Sequence, residues 1–295
     1  MGEPRLILCY NSMWGELPSG AASSLPAPFV LSCDRGLMSR ACAVIFHLPT
    51  LSRYELFFRR LRKRAGQIWV AWSMECEANY PCMNDPSFMS CFDLRMTYHQ
   101  DADVVVPYLD AEIAERLRAP AQDKPAGNVA CAFISSPFNK SGRRQYLQEL
   151  MRHLDVHSYG RQLRTRRIEE DRGRSTKLET FAAYRFTLAF ENAIGREYIT
   201  EKFFDPLLAG SVPVYLGAPN IGDFAPGDHC FINVADWESP RALAGYLHDV
   251  AADDELYQQY FSWKTQPFRP EFTRLVAHQQ KPALNRLCDR LRDRL

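Results

Sequence analysis

Short apolar runs alternate with amphipathic stretches along most of the chain. FVLSCD (29–34), CAVIFHL (42–48) and IWVAWSM (68–74) read as buried strands, and residues 51–64 carry Leu51, Tyr54, Phe58 and Leu61 on one helical face. VVVPYL (104–109) and a short helix over 111–118 follow, and APAQDKPAGN (119–128) then has the composition of a linker. The alternation restarts with VACAFIS (129–135), a helix over 142–154 bearing Leu147, Leu150, Met151 and Leu154, and VHSYG (156–160). Residues 161–174 are Arg-rich and read as a solvated loop. Beyond them come a helix over 176–184, the strand FTLAFE (186–191), the helix ITEKFFDPLLAG (199–210), and the strands VPVYLG (212–217) and HCFINV (229–234). A helix after Ser239 and helical patterns over 254–263 and 271–295 close the chain. Strand and helix alternating twice over predict an α/β protein with two Rossmann-like domains facing across a cleft, ligands lying at the carboxyl ends of the strands. The expected divisions are 1–120, 121–265 and a C-terminal helical segment, 266–295.

The length, 295 residues, supports the two-domain expectation, because single cores stop growing near this size. Lys and Arg (36) nearly balance Asp and Glu (35), so no bulk field calls for nucleic acid or an anionic bilayer, and any anion site must be local. No run approaches the roughly 18 apolar residues of a spanning helix, and MGEPRLILCYNSMWG lacks a cationic leader. Nine scattered cysteines with no CxxC pair read as reduced thiols in small core positions, which favours the cytoplasm.

Three clusters carry candidate chemistry. The densest is FENAIGREYITEK (190–202), a strand end, a polar turn and a helix start. Unpaired N–H groups and the positive end of the dipole make such a helix start a phosphate site; Lys202 would balance a diphosphate and Glu201 could take two ribose hydroxyls. The bland alternative is a βα loop with a Thr200 cap and a solvated Glu-Lys pair. Ser141-Gly142-Arg143-Arg144 opens a second helix whose Arg143 or Arg144 could fork onto phosphate oxygens, or could simply face water. The third is Glu75, closing IWVAWSM beside Trp72, a candidate general base that competes with Glu77 and with a solvated-loop reading of both. No GxGxxG or GxxxxGK[ST] occurs, so nicotinamide cofactors and P-loop chemistry lack their usual warrant.

FTLAFENAIGREYITEKFFDPLLAGSVPVYLGAP (186–219) resembles the donor-site signature of the alpha-1,3/1,4-fucosyltransferases, glycosyltransferase family 10. Further likenesses lie in FINVADWESPRALAGYL, YQQYFSWK, WSMECEANYP and MTYHQDADVVVPY, and weakly in CDRGLMSRACAVIFH, so that the resemblance spans roughly 30–265. It implies a glycosyltransferase B-type fold with the C-terminal helix crossing back to the first domain. It further implies a fucosyltransferase, an inverting hexosyltransferase that takes GDP-L-fucose as donor and a GlcNAc-containing or related glycan as acceptor, with no obligatory metal or other cofactor. By position, Arg143 and Lys202 would hold the diphosphate, Glu201 the ribose, Asn192 and Tyr198 the donor pocket, and Glu75 would be the base. Glu191 would touch the ligand or orient its loop. The alternatives are the same site with another nucleotide sugar, or a nucleotide-sugar-binding pseudoenzyme.

The chain departs from the family pattern at Glu75-Cys76-Glu77, where the family reads Glu-Ser-Pro, and at Pro206, which would shorten the donor helix. The membrane anchor, stem and terminal CxxC of animal members are lacking, which suggests a minimal bacterial-type enzyme. The Arg-rich helical pattern near the C-terminus is expected to pack on the first domain, the alternative being peripheral contact with the inner membrane or a partner chain.

Overall fold

A computed structural model describes residues 3–18, 25–51, 61–121, 124, 125, 127 and 129–295, and the helix expected over 51–64 lies largely outside them. The chain forms two compact units, one made of 1–107 with 278–295 and the other of 108–277. Each has its own parallel sheet, so the α/β expectation of two Rossmann-like sheets holds.

In the first unit the strands β1 (Arg5–Cys9), β2 (Phe29–Ser32), β3 (Ala43–His47), β4 (Ile68–Ser73), β5 (Leu94–Thr97) and β6 (Val104–Val105) run parallel in the order β2-β1-β3-β4-β5-β6. Every residue of β3 and β4 is buried, the mark of a sheet covered on both faces. The period of two sends Ile7, Ile45, Val70, Trp72 and Met96 into one core and Leu8, Val44, Phe46, Trp69 and Ala71 into the other. Helix α1 (Pro86–Met89), capped by Asp85 at the amides of Ser87 and Phe88, drives Phe88 into the second core.

In the second unit β7 (Ala130–Ala132), β8 (Val156–Ser158), β9 (Phe186–Phe190), β10 (Val212–Leu216) and β11 (Ile232–Asn233) are again parallel, ordered β11-β10-β9-β7-β8. One face carries Leu147 and Leu150 of α3 (Arg143–Leu150) with Leu243, Leu247 and Val250 of α6 (Pro240–Ala252). The other carries Ile113 of α2 (Ile113–Arg116), Phe203, Phe204 and Leu207 of α5 (Glu201–Leu208), and Phe272 and Leu275 of α8 (Pro270–Ala277). Two further helices, α4 (Arg174–Ala182) and α7 (Asp254–Gln259), contribute Phe181 and Tyr257.

Both sheets place their first strand between the second and the third. The chain leaves β1 for β2 on one side and returns as β3 on the other; β7, β8 and β9 repeat the arrangement. Connections diverge at such a point, and a crevice opens at the carboxyl ends of the two inner strands.

Three expectations need correction. Two strands escaped the reading of the apolar pattern, β1 and β5, and β1 is an inner strand of its sheet, between β2 and β3. The boundary lies at 107/108 and not within 119–128, because Leu109, Ile113 and Leu117 bury in the second unit's core. The buried Lys264 ammonium also donates to the carbonyls of Leu117 (2.7 Å) and Ala119 (3.0 Å), which ties this segment down. Residues 266–295 are no unit of their own: α8 belongs to the second unit, and the chain turns at Pro282 into α9 (Ala283–Arg292), which packs on the first.

Helix α9 buries Leu284, Leu287, Cys288 and Leu291 against Ile7, Ile45 and Val70. Its arginines are clasps: Arg290 donates to the Asp103 carbonyl (3.0 Å), Arg292 to that of Ala27 (3.0 Å), Arg294 to that of Asp93 (3.1 Å), and Arg286 to that of Val105. The basic face is thus spent on the sheet it covers. No helix among the described residues is long and apolar enough to cross a membrane. Cys131 and Cys230 are buried, and loss of solvation pushes both thiols up to about 12.

Leu287 fills the centre of the α9 contact and is wholly buried. Leu287→Ala is expected to cost about 2–5 kcal/mol of unfolding free energy, read from the denaturant midpoint, whereas Arg290→Ala, on the rim, should cost under about 1 kcal/mol.

Candidate functional site

Where β7 and β9 end, the chain runs on into 133–141 and the start of α3, and into 191–200 and the start of α5. β9 delivers Glu191, which is fully buried. Its Oε1 accepts from the backbone N–H of Thr200 (2.8 Å), and its Oε2 accepts from the Thr200 hydroxyl (2.9 Å). Thr200 is the N-cap of α5, its hydroxyl accepting from the Lys202 N–H at 3.3 Å. The same hydroxyl accepts from Lys202 Nζ at 3.0 Å, and that ammonium lies 3.5 Å from Glu191 and 3.2 Å from Glu201. The helix start is therefore bolted to the strand end through one carboxylate and one hydroxyl.

Charge in this cluster is unevenly shared. Burial pushes the Glu191 carboxyl above its usual range, with Lys202 pulling against it. Burial acts likewise on Glu201, but Lys202 and then Lys177 outweigh it and hold that carboxyl well below the usual range. Lys202 is raised because Glu201 and Glu191 overcome its burial. The outcome is a firmly charged ammonium beside a half-exposed, ionised Glu201.

Arg143, on the first turn of α3, is buried and knits the crevice wall together. Its Nη1 donates to the Phe190 carbonyl (3.0 Å) and its Nη2 to those of Ser136 and Phe138 (3.1 Å each). Its Nε has no acceptor among the described residues. The expectation that Arg143 forks onto a ligand is thus qualified by three carbonyl bonds, which leave Nε–H and the second Nη1 hydrogen uncommitted. Asn192 is buried, and its carbonyl accepts from Ser141 N–H (3.3 Å). Tyr198 packs edge-on to Tyr108, with ring centres 6.3 Å apart. Gly217 is obligatory where β10 ends, since a Cβ there would lie 2.7 Å from Glu191 Cγ and 2.4 Å from the Tyr215 hydroxyl.

Sequence reasoning missed the support behind α5. Asp205 is wholly buried and is held by Arg174 (2.7 Å) and Lys177 (2.9 Å), with Arg174 also gripping Asp110. Arg174, read as the end of a solvated loop, instead opens α4. The signal was an acid inside the apolar run FFDPLL, which must find cations if it is to bury. Pro206 does not break α5, which runs eight residues through it.

In the first unit Glu75 sits half-buried just beyond β4, near enough to Tyr80 that its charge adds to burial in pushing that phenol up. Glu77 is engaged on both oxygens, by Tyr98 (2.8 Å) and His99 (2.7 Å). Burial pushes Glu77 up, but the His99 hydrogen bond, then its own backbone amide, the His99 charge and the Tyr98 hydroxyl outweigh it and hold the carboxyl below its usual value.

The model of the "Fucosyltransferase, N-terminal" domain matches residues 2–109, and that of "Glycosyltransferase family 10 (fucosyltransferase) C-term" matches residues 123–295. The chain belongs to glycosyltransferase family 10. Among its family relatives, the human 4-galactosyl-N-acetylglucosaminide 3-alpha-L-fucosyltransferase 9 is 30% identical over 239 residues, 79% of this chain and 63% of that protein. The chimpanzee 4-galactosyl-N-acetylglucosaminide 3-alpha-L-fucosyltransferase FUT6 is 34% identical over 248 residues, 82% of this chain and 66% of its own. This family member thus spans somewhat under two thirds of the length of these curated relatives. A crystal structure of an alpha1,3-fucosyltransferase with GDP-fucose aligns with a TM-score of 0.63 at 18% identity, over 95% of this chain and 90% of that one. A second, with GDP, gives 0.61 at 15% identity, over 96% and 92%. These two likenesses concern the fold.

Two measurements follow. Thr200→Val removes the hydroxyl from a buried carboxylate and a helix cap together, and should cost about 1–3 kcal/mol, with Thr200→Ser recovering most of it. Because the Glu201 carboxyl is depressed in the folded state, it contributes stability above its ordinary value of 4.5 that is lost as pH falls toward about 2. Acid titration of the unfolding midpoint should therefore fall less steeply between those values in Glu201→Gln than in the parent.

Proposed function

We propose that this family 10 chain is an inverting fucosyltransferase that moves L-fucose from GDP-fucose to a hydroxyl of a GlcNAc-containing glycan, in an alpha-1,3 or alpha-1,4 linkage. The observation that carries the reading is the Glu191–Thr200–Lys202 bolt. It fixes a charged ammonium at the start of α5, just beyond the carboxyl end of β9, where a nucleotide diphosphate is best received. The names of the relatives support the donor sugar and the acceptor class.

In this reading the β-phosphate oxygens meet Lys202 and the uncommitted N–H groups of Arg143. The ribose hydroxyls meet the ionised Glu201, and Asn192 and Tyr198 line the donor pocket. Glu191 orients the helix start and does not itself receive ligand, since its oxygens are spent on Thr200. Glu75 takes the proton of the acceptor hydroxyl as that oxygen bonds to the anomeric carbon. The carbon–oxygen bond to the β-phosphate breaks on the opposite face, and GDP leaves with the electron pair. Charge grows on the departing phosphate as that bond stretches, and fixed cations there lower the barrier without reorganising. No group in the scheme requires a metal.

The test is incubation with GDP-fucose, competing sugar nucleotides and a glycan panel. Formation of a fucosylated product from GDP-fucose alone is expected, and absence of any fucosyl product would sink the proposal. Glu75→Ala should lower kcat by about two orders of magnitude or more with the donor KM kept, whereas Glu77→Gln should act mainly on stability. Lys202→Ala should lower kcat/KM by about two to three orders, measured by GDP release.

A further inference from the structure

Glu201 opens α5 with its carboxylate half-exposed, and two ammonium groups meet the same one of its oxygens. Lys202 Nζ donates to Oε1 at 3.2 Å, and Lys177 Nζ stands 3.9 Å from that oxygen. Oε2 takes no hydrogen bond from another residue among the described ones. One side of the carboxylate is therefore held by the protein, while the other is left to whatever approaches the start of α5.

Lys177 comes from a different helix, the first turn of α4. Its ammonium is anchored on Asp205 Oδ2 at 2.9 Å and lies 5.6 Å from the centre of the buried Phe181 ring. Glu201 and Asp205 stand four residues apart on α5 and so share a face, where two like charges repel unless a cation lies between them. Lys177 is that cation, mostly buried and in reach of both acids.

Neutralising Asp205 does not by itself require Lys177. Arg174 already gives Asp205 Oδ1 two hydrogen bonds, from Nε at 3.0 Å and from Nη2 at 2.7 Å. Asp110, the other acid that Arg174 grips, has Arg116 at 3.2 Å as well. The charge that Lys177 adds is thus left to act on Glu201. Against the upward push of burial, Lys202 and then Lys177 hold that carboxyl down to about 2.

We infer that Lys177 is a positioning residue for donor recognition: set in place by Asp205, it pins Oε1 of Glu201 together with Lys202 and so turns Oε2 toward the ribose hydroxyls of a nucleoside diphosphate. The inference rests on the ribose role given to Glu201 above and deepens it. A carboxylate held at one point swings about it, whereas one held by cations from two helices keeps a single orientation. A group ordered in advance loses less freedom when the ligand arrives, and that difference appears as affinity. Lys177 itself touches no ligand in this scheme and acts only through Glu201.

The test compares the affinity for GDP with that for its dideoxyribose analogue, which lacks both ribose hydroxyls. Both are measured by calorimetry, and the ratio of the two Kd values is the readout. A merely structural loss lowers the folded fraction equally for both nucleotides and cancels in that ratio. The parent should bind GDP about tenfold or more tighter than the analogue, as removal of hydrogen bonds to a charged group gives. Lys177→Met should cut the ratio by about threefold or more, and Lys177→Arg should keep most of it. In a Glu201→Gln background, Lys177→Met should change the ratio no further. Should Lys177→Met fail to fold, combining it with Asp205→Asn removes the ammonium without leaving a buried carboxylate short of a cation, and the same fall is expected. A parental ratio in a folded variant that lacks the Lys177 ammonium overturns the inference alone. A parent that binds the two nucleotides alike, or neither of them, overturns the ribose reading of Glu201 and the inference with it.

Discussion

Glu191 ends a strand whose residues are all buried, and its carboxylate lies where no water can solvate it. A carboxylate in that position must be satisfied by the protein, and the groups that satisfy it are the amide and hydroxyl of Thr200, with Lys202 close behind. This demand fixes where α5 begins, because the residue that caps the helix is also the one that answers the buried acid. The rest of the cluster follows: Lys202 is held by a hydroxyl and two carboxylates, and Glu201 is carried into the adjacent half-exposed position. Gly217 is confined to hydrogen as a side chain by the same carboxylate's approach.

A second buried acid does comparable work one turn further along. Asp205 faces inward from α5 and is matched by Arg174 and Lys177 of α4, so the two helices are locked together by charge. Lys177 also lies 3.9 Å from Glu201. The field at Glu201 is therefore set partly by a residue that no motif includes. Buried pairs of this kind add little net stability over an apolar replacement, but they are costly to break singly, which makes the register between α4 and α5 specific.

The two units solve the same problem with the same strand order. Each puts its first strand between its second and third, and each presents its chemically unusual side chains at the carboxyl ends of those inner strands: Glu191 and Asn192 in one, His47 and the Trp14 hairpin in the other. The units differ in what they offer there: one presents the Lys202 ammonium and the Arg143 guanidinium, the other the Tyr10 and Trp14 rings with the Ser12 and Thr50 hydroxyls.

The apolar pattern by itself determined the α/β class and most of the strands, since a strand covered on both faces must be continuously apolar and β3, β4, β9 and β10 are. The spacing of FENAIGREYITEK likewise carried the end of β9 and the start of α5, because both features are local. β5, with Arg95 and Thr97 alternating with Leu94 and Met96, has no continuous apolar run to announce it, and β1 takes its inner place by pairing with both β2 and β3. The division between units also belonged to the tertiary structure: a polar stretch looks like a linker until Leu109, Ile113 and Leu117 find a core to enter. The same holds for Arg143, whose charge was visible but whose three carbonyl partners were not, and for Arg174, whose buried partner lies 31 residues away. Local periodicity can state what a segment wants to be, while which acid meets which cation, and which donor stays unpaired, is decided only when distant segments are brought together.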